Sequence, residues 1–404
     1  MGTSAEPTTW QPGPKKHKAH SLIGMVDLEL LESAWSQVKK NKGKAGIDRV
    51  SIEAFETQRI GNLTKITQEL RDGTYRPAPL RRVYIPKANG KMRPLGIPTV
   101  RDRTAQEVIR RLLEPVFEPI FHEDSYGFRP GRSCHDAMKR IKAYQAQGYT
   151  HCVDADIVGC FDNIPHKVIM QTLSWEVADG KVLTAVESFL KAGIVEDGGT
   201  KPTTKGTPQG GPVSPLLCNI VLNRMDWQLA HAGYKFVRYA DDFVILCRSK
   251  HEAGEAYVFV RKVLAELGLE LSEEKTRITS FTEGFDFLGF HLTQRHLVMK
   301  DKAVERFKAK GRMLTIRSHN LDKEVVERLN ALVRGTANYF GWPAASTRAQ
   351  FLRLDRFVRK RIRCMKKKRI WRSDNFRIPN KLIKRWGLLS LVEVSGQRTR
   401  NLPP

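Results

Sequence analysis

Two adjacent carboxylates, Asp241 and Asp242, lie between two short apolar segments of the sequence. This pattern predicts two strands joined by a tight turn that carries both acidic side chains. A second pair, Asp154 and Asp156, is spaced by two residues in a segment that alternates like a strand, so its two side chains share one face. Carboxylates gathered beside buried strands are costly unless a cation compensates their charge. The two acidic sets therefore indicate a site for divalent cations.

The chemistry that such a site supports is phosphoryl transfer. Two divalent ions about 4 Å apart activate an attacking hydroxyl group and stabilise the leaving pyrophosphate. Carboxylate oxygens are hard ligands, which favours two Mg²⁺ ions, with Mn²⁺ as the alternative. An Asp-Asp pair alone is usually a solvated turn, and the second acidic set is what argues against that interpretation here.

A glycine-rich segment, residues 206–219, lies between the two acidic sets along the chain. Ser214 is a good N-cap and Pro215 a good first helical residue, so a helix is predicted to begin there. Gly210 and Gly211 precede it and allow the backbone to approach a nucleotide closely. An ordinary loop and helix cap is the alternative interpretation.

The elements that must position these residues are predicted from the spacing of apolar, glycine and proline residues. Helices are expected at 28–38, at 52–70 with a break at Gly61, at 103–121 and after Ser133. A hairpin is expected over 82–98 with its turn at 88–90, and strands are expected at 152–157 and within 234–247. After Leu292 the pattern becomes wholly helical. The sequence thus predicts an α+β body followed by an α-helical domain.

The charge of the chain points to a polyanionic partner. Its 404 residues include 69 Lys and Arg and 43 Asp and Glu, which gives a net charge of +26. In residues 293–404, 29 side chains are basic and 8 acidic, so +21 of the excess lies there and only +5 in the first 292 residues. A near-neutral body with a strongly basic C-terminal part is typical of a catalytic domain joined to a domain that binds RNA or DNA.

Composition also excludes several classes of protein. A hydrophobic fraction of 41% excludes a chain that is disordered throughout. The 6 cysteines form no C-x-x-C pair, so neither a disulfide framework nor a structural zinc site is expected. The sequence shows no signal or transit segment and no stretch of about 18 apolar residues. We expect a cytoplasmic protein of a bacterial or archaeal cell, with no membrane partner.

The basic residues of the C-terminal part concentrate on its last predicted helix, whose opposite face is an apolar stripe suited to packing. Such a helix neutralises the phosphates of a nucleic acid and gives an affinity that depends on salt. The expected RNA-binding residues are Arg356, Arg359, Lys360, Arg363, Lys366, Lys367 and Lys368.

Seven motifs occur in order between about Ser21 and Arg372. They are the segments 41–48 (NKGKAGID), 85–98 (IPKANGKMRPLGIP), 125–132 (SYGFRPGR), 156–164 (DIVGCFDNI), 208–211 (PQGG), 239–242 (YADD) and 287–290 (FLGF). With these motifs in this order, the sequence resembles the reverse transcriptases encoded by group II introns, also called maturases.

The resemblance implies a right-hand polymerase, in which fingers and a palm with an antiparallel sheet are followed by an α-helical thumb and maturase domain. It also implies that Asp156, Asp241 and Asp242 are the catalytic carboxylates, which hold the metal ions together with Ile157. Asp154 also resembles the metal-binding aspartate of the family by its spacing in the motif. The metal-binding aspartate of the family lies five residues before an aromatic residue, and Asp156 has that spacing.

The same resemblance implies which residues bind the deoxynucleotide triphosphate. Phe161 would lie under the incoming sugar, where its ring excludes a 2′-hydroxyl group, although a core phenylalanine is the alternative. Lys275 matches a lysine near the pyrophosphate, although by its sequence alone it would be a solvated surface lysine. The full set is Lys87, Arg93, Phe161, Gln209, Gly210 and Lys275.

Four segments are expected along the chain. They are a disordered tail at 1–20, the reverse transcriptase fingers and palm at 21–292, the thumb and maturase (X) domain at 293–372, and a basic tail with a short DNA-binding segment at 373–404. No endonuclease motif is seen after Leu391, so we expect priming from an existing nick or from replication-fork DNA. The oligomeric state is left open.

The implied function is that of an RNA-directed DNA polymerase that binds group II intron RNA, assists its splicing and copies it into cDNA during retrohoming. Its partners would be the intron RNA, an RNA template with a DNA primer, target DNA and deoxynucleotide triphosphates. One alternative is an RNA-binding maturase without polymerase activity, which would predict eroded palm carboxylates. The other is a domesticated relative in host defence or repair, which the genomic flanks would distinguish.

Overall fold

The computed structural model describes residues 18–86, 92–196, 199–207, 210–369, 371 and 373–400. The chain divides into two compact units, Met1–Ile278 and Thr279–Pro404. Most of the tail predicted at 1–20, the hairpin turn at 88–90, Lys87 and Gln209 lie outside the described residues. In the part of the chain that the structure describes, no helix is both long enough and apolar enough to cross a membrane.

The first unit combines helices with short strands. Its helices are α1 (Leu28–Lys40), α2 (Ile52–Thr57), α3 (Arg59–Asp72), α4 (Val100–Phe117), α5 (Cys134–Ala146), α6 (Cys160–Asn163), α7 (His166–Glu176), α8 (Gly180–Lys191), α9 (Ser214–His231) and α10 (Lys250–Glu266). Its strands are β1 (Leu80–Pro86), β2 (Met92–Ile97), β3 (His151–Asp156), β4 (Ile194–Glu196), β5 (Gly199–Lys201), β6 (Lys235–Tyr239) and β7 (Asp242–Cys247), and β8 (Arg277–Ser280) runs into the second unit. Short 3-10 helices at Leu22–Met25 and Glu118–Ile120 complete the unit.

Helix starts in the first unit follow from capping residues in the sequence. Asp27 accepts a hydrogen bond from the Leu30 amide at 2.8 Å and begins α1. Ser133 and Asp136 cap each other's backbone amides reciprocally, which begins α5 directly after Ser133 as predicted. The helix predicted at 103–121 is observed as α4, which ends at Phe117 because the chain tightens into a 3-10 turn that contains Pro119.

Two predicted details of the helices are wrong. The helix expected over 52–70 is broken at Gln58 and not at Gly61, because Gln58 leaves helical geometry with φ of −119° and ψ of 29°, and the Asn62 side chain donates to the Phe55 carbonyl beside this break. Helix α9 does begin at Ser214, but Ser214 is its first residue and Val213 is its N-cap.

Two sheets organise the first unit. In one, the strand order is β2-β1-β4-β5, and β1 pairs antiparallel with β2 as the predicted hairpin while pairing in parallel with β4. In the other, the order is β6-β7-β3-β8, with β7 antiparallel to both β6 and β3. One large apolar cluster from the helices and from the sheet strands β3, β6 and β7 forms the core beneath the second sheet.

The second unit begins with a small antiparallel sheet of β9 (Phe285–Phe287), β10 (Phe290–Leu292) and β11 (Leu297–Met299), ordered β11-β10-β9. Its helices are α11 (Asp301–Leu314), α12 (Lys323–Phe340), α13 (Arg348–Lys367), α14 (Asp374–Arg377), α15 (Asn380–Arg385) and α16 (Leu391–Arg400). The α+β class with a helical C-terminal part is therefore confirmed, although β11 shows that the chain is not wholly helical after Leu292.

The segment predicted as a basic tail is part of the folded second unit. Its apolar residues Ile378, Ile383 and Leu391 lie in the core of that unit. The carboxylate of Asp355 accepts hydrogen bonds from the Leu391 amide at 2.8 Å and from the Ser390 hydroxyl at 2.6 Å, which fixes the start of α16. Helix α13, predicted to be last, is thus followed by three more helices within the described residues.

Candidate active site

The acidic residues of the candidate site lie at one end of the sheet β6-β7-β3-β8. In the antiparallel pairing of β3 with β7, Asp156 is directly opposite Asp242. Residues opposite each other in antiparallel strands project from the same face, with Cβ atoms about 5 Å apart. Asp241 precedes β7 in the turn that joins it to β6. The pairing register therefore brings together two aspartates that are far apart in the sequence, with the third beside them.

Asp241 lies in an environment that disfavours a free negative charge. Its partial burial raises the pKa of its carboxyl group, and the charge of Asp156 raises it further. A hydrogen bond from its own backbone amide lowers this pKa, as do the charges of Arg93 and Lys275. A half-buried carboxylate next to a second carboxylate calls for a cation.

Lys275 is brought to the same place by a turn after Leu271. Its Nζ atom lies 2.8 Å from an Oδ atom of Asp156, and the Asp156 carbonyl accepts a hydrogen bond from the Ser272 amide at 2.8 Å. Asp154, the alternative to Asp156, is instead 3.6 Å from Arg277. Within the described residues, no three His, Cys, Asp or Glu side chains converge closely enough to hold a metal ion. In this conformation, the Asp156 carboxylate is therefore paired with the positive charge of Lys275.

The turn before Asp241 is held by a close backbone contact. Ala240 adopts a left-handed conformation with φ of 60°, which is unfavourable for a residue with a side chain. Gly127, from the motif at 125–132, packs so closely that an added Cβ atom would lie 2.3 Å from the Ala240 amide nitrogen. Only glycine fits at position 127 without displacing the turn.

Replacing Gly127 by alanine is expected to lower the free energy of unfolding by ~1–3 kcal/mol, because the added methyl group overlaps the backbone of the turn. Chemical denaturation followed by circular dichroism would measure this decrease. Gly180→Ala is the matched control, since an added Cβ atom at Gly180 meets no atom within 4 Å. Equal stability of the two variants would contradict the close contact.

A cavity of about 810 Å³ in the first unit collects three of the residues predicted to bind the nucleotide, Arg93, Phe161 and Gly210. Phe161 lies in the short helix α6, is partly exposed, and meets Phe128 edge to face with ring centroids 6.4 Å apart. Gly210 has a φ of 114°, and an added Cβ atom would lie 3.0 Å from the Gly96 carbonyl oxygen. The glycine is therefore required by packing within the protein, apart from any approach to a nucleotide.

Several residues of this cavity were not singled out from the sequence. Phe128 lies in the motif at 125–132, and its side chain is exposed at 57% relative accessibility. That exposure cannot be read from the sequence alone. Arg110 and Arg111 come from α4, in which basic residues alternate with an apolar stripe at helical spacing.

Ile157 differs from the three aspartates predicted to bind metal, because its side chain is buried in the core and has no donor atom. Only its main chain can contribute to a metal site.

The basic residues predicted to bind RNA are divided by the structure. Arg356, Lys360, Lys366 and Lys367 are exposed on α13, and Arg359 is partly exposed. None of these five forms a salt bridge within the described residues. Their positive charge is available to a polyanion.

Arg363 does not belong to this exposed set, and its burial argues against the predicted role in RNA binding. Its side chain is buried, and its guanidinium donates to the Ile378 carbonyl at 2.8 Å and to Asn380 at 2.6 Å. Burial lowers the pKa of this guanidinium, and the charge of Arg359 lowers it further. Lys368 lies just after the helix, is exposed, and donates to the His319 carbonyl.

Two parts of the chain match known protein families. Residues 85–292 match the family described as reverse transcriptase (RNA-dependent DNA polymerase), and residues 304–384 match the maturase-specific domain of group II introns. The chain is 34% identical over 333 residues to the group II intron-encoded protein LtrA of Lactococcus lactis subsp. cremoris, covering 65% of this chain and 54% of LtrA. It is also 34% identical over 330 residues to protein YkfC of Escherichia coli (strain K12), covering 71% of this chain and 86% of YkfC.

A solved structure titled "Partial Cas6-RT-Cas1--Cas2 complex" aligns with 62% of this chain and 42% of that chain at 26% identity and a TM-score of 0.39, which is too low to support an argument. The family matches carry the assignment. The chain belongs to the reverse transcriptase (RNA-dependent DNA polymerase) family. Within it, the chain carries the maturase-specific domain of group II introns and spans about half the length of LtrA.

Proposed function

We propose that this protein is an RNA-directed DNA polymerase that extends a DNA primer on an RNA template. The observation that carries the proposal is the placement of Asp156 opposite Asp242, with Asp241 beside them. Membership of the reverse transcriptase family supports the same reaction. The neighbouring cavity, lined by Arg93 and Phe161, is large enough for a deoxynucleotide triphosphate.

The carboxylates at this end of the sheet have the donor chemistry that two divalent metal ions require, and metal binding would draw together side chains that do not converge in the observed conformation. Asp156, Asp241 and Asp242 supply hard oxygen donors, and the half-buried carboxylate of Asp241 is a group that a cation would neutralise. Magnesium bound there would lower the pKa of the primer 3′-hydroxyl group and neutralise charge on the leaving pyrophosphate. The Lys275 contact to Asp156 would give way to a metal ion, because both side chains are partly exposed and weakly held.

The protein's own residues would orient the nucleotide. Arg93 carries a fixed positive charge close to Asp241 and would bind the triphosphate, together with Lys87. Lys275, released from Asp156, would lie where it can donate a proton to the departing pyrophosphate. Gln209 would contact the nascent base pair, and Gly210 would allow close approach of the nucleotide to the backbone. Phe161 would contact the sugar.

We further propose that the second unit binds group II intron RNA, assists its splicing and supports copying of the intron at target DNA in a bacterial or archaeal cytoplasm. The exposed basic face of α13 supports RNA binding, and the match to the maturase-specific domain supports the identity of that RNA. A maturase without polymerase activity is less consistent with the three intact carboxylates. A domesticated relative with the same polymerase chemistry would have no structured intron around its gene.

Primer extension on a primed RNA template, with deoxynucleotides and ribonucleotides tested side by side, would test the proposed reaction. We expect Mg²⁺-dependent extension with deoxynucleotides and little with ribonucleotides. Binding of a group II intron RNA measured in the same buffer would test the second unit separately. Absence of extension on every primed template would overturn the polymerase proposal.

Replacing Phe161 by valine is expected to reduce the preference for deoxynucleotides over ribonucleotides by about 10–100-fold, because the variant no longer has the ring that excludes a 2′-hydroxyl group. The measurement is the ratio of kcat/KM for the two nucleotides. Phe161→Tyr retains the ring and should retain the preference. If the valine variant discriminates as well as the wild type, Phe161 is a core residue and not a sugar gate.

A further inference from the structure

One side chain beneath the Asp241–Asp242 turn is fully buried and charged. Arg238 lies on β6 with no solvent exposure, three residues before Asp241. Its Nε donates to Asp226 at 2.8 Å and one terminal nitrogen donates to the other oxygen of Asp226 at 2.5 Å. Asp226, on α9, is also completely buried. The pair is a bidentate charged hydrogen bond inside the core.

The remaining terminal nitrogen of Arg238 connects this pair to the turn. It donates to the Ala240 carbonyl at 2.9 Å and to the side-chain oxygen of Asn219 at 2.8 Å. The amide group of Asn219 in turn donates to the Gly127 carbonyl at 2.8 Å. Arg238 is thus hydrogen-bonded to Ala240 in the turn. Asn219 links Arg238 to Gly127, which packs against the same turn.

The backbone of Arg238 strengthens this arrangement. Its amide donates to the Asp124 carbonyl at 2.9 Å, and its carbonyl accepts from the Tyr126 amide at 2.8 Å. The segment that precedes Gly127 is therefore joined to β6 by an isolated parallel bridge between Ser125 and Arg238. The left-handed conformation of Ala240 is fixed from three directions, by β6, by this segment and by the Arg238 guanidinium.

A buried ion pair is a poor device for stability alone. Replacing such a pair by apolar residues of similar volume is often neutral or stabilising, because desolvation of the two charges offsets their attraction. What an apolar pair cannot replace is the hydrogen bond to the Ala240 carbonyl, which determines the direction in which the next residue, Asp241, leaves the turn. A lysine would not replace it either, since it lacks the planar fork that binds Asp226, Asn219 and Ala240 at once.

We propose that Arg238, held by Asp226 and Asn219, is a positioning residue that fixes the Asp241–Asp242 turn in the geometry needed to bind divalent metal ions. This inference rests on the proposed polymerase function and adds to it. Arg238 is fully buried and is hydrogen-bonded to the turn, so it acts only through the turn.

Two variants test the proposal. The double variant Arg238→Met with Asp226→Leu removes both buried charges and the bond to Ala240 while keeping similar volumes, so it is expected to fold with an unfolding midpoint near that of the wild type. Asn219→Ala is the milder change, because it leaves the ion pair intact and removes the hydrogen bonds that Asn219 forms with Arg238 and with Gly127. Arg101→Met is the control, since Arg101 pairs with Glu69 elsewhere in the same unit.

For the double variant we expect kcat in primer extension to fall at least about tenfold with little change in the KM of the deoxynucleotide. The readout besides activity is Mn²⁺ affinity, measured by EPR titration of protein bound to a dideoxy-terminated primer on an RNA template, and we expect a dissociation constant at least about threefold higher. Hydrogen–deuterium exchange should increase in the peptide that covers residues 239–242, and the Arg101 control should match the wild type in all three measurements.

A folded double variant with the wild-type Mn²⁺ affinity and wild-type exchange of the turn would overturn the proposal. If the double variant does not fold, Asn219→Ala decides: weaker Mn²⁺ binding with faster exchange at the turn supports the proposal, and no change in either overturns it. A wild-type protein without primer extension would overturn the polymerase function and this inference with it. An active wild type with unaffected variants overturns this inference alone.

Discussion

Replacing Asp241 and Asp242 together by alanine is expected to lower Mg²⁺-dependent primer extension on an RNA template by about 10³-fold or more, which corresponds to ~4 kcal/mol of transition-state stabilisation. The physical reason is the removal of two of the three carboxylates proposed to bind the metal ions, of which Asp242 lies opposite Asp156 and Asp241 precedes it in the turn. Single-turnover kinetics with a saturating primer–template would measure the chemical step without product release. Binding of RNA to the second unit should be largely unchanged.

A matched control for this experiment is Glu273→Ala with Glu274→Ala. These residues also form an adjacent acidic pair in the first unit, and both are exposed. The control removes the same charge, so a general electrostatic effect on nucleic-acid binding would appear in both variants. If the Asp241 and Asp242 variant extends primers at more than about a tenth of the wild-type rate, the assignment of the metal site is wrong.

The local structure around these aspartates could be predicted from sequence because the signals are local. Strand alternation and a two-residue turn between apolar segments predicted β6 and β7, and both are observed. The capping residues Asp27 and Ser133 lie at the start of observed helices for the same reason. Such patterns depend on a few neighbouring residues and do not require knowledge of the fold.

The way the site is assembled could not be predicted from spacing alone. The contact between Lys275 and Asp156 joins residues 119 positions apart, and the pairing of Asp156 with Asp242 depends on strand register. The resemblance to a family placed these residues in one site, but not the ion pair. For Arg238 the sequence did carry a signal. It lies two residues after Phe236, on the strand face that is buried, and a charge at such a position needs a partner.

The end of the chain shows a different limit of sequence patterns. Ile378, Ile383 and Leu391 are spaced irregularly and lie on three separate short helices or beside them, so no periodic stripe marks them as core. The high local content of basic residues led instead to the prediction of a basic tail with a short DNA-binding segment. Hydrogen bonds from distant residues, such as Asn330 to the Gly387 carbonyl at 2.8 Å, fix this segment in the second unit.

Neutralising the basic face of α13 is expected to have the other large effect, which is on RNA binding. Replacing Arg356, Lys360, Lys366 and Lys367 by glutamine should reduce the slope of log K against log salt for intron RNA by about 3, at about 0.7–0.9 for each phosphate that is no longer neutralised. Affinity at about 0.1 M salt should then fall by about 10²–10³-fold, because fewer condensed cations are released on binding. The exposure of all four side chains and the absence of salt bridges to them within the described residues support this expectation. Fluorescence anisotropy over a range of salt concentrations would measure both quantities.

This experiment must distinguish the effect of where the basic residues lie from the effect of how much charge is removed. A control variant with glutamine at four exposed basic residues of the same unit outside α13 removes the same charge: Lys302, Lys323, Arg334 and Lys381. Arg363→Gln is a second control, expected to lower stability with little change in slope, because that guanidinium is buried against Ile378. If the α13 variant and the four-residue control lower the slope equally, RNA is attracted by the diffuse charge of the unit. A larger change for the α13 variant would show that this helix contacts the phosphates.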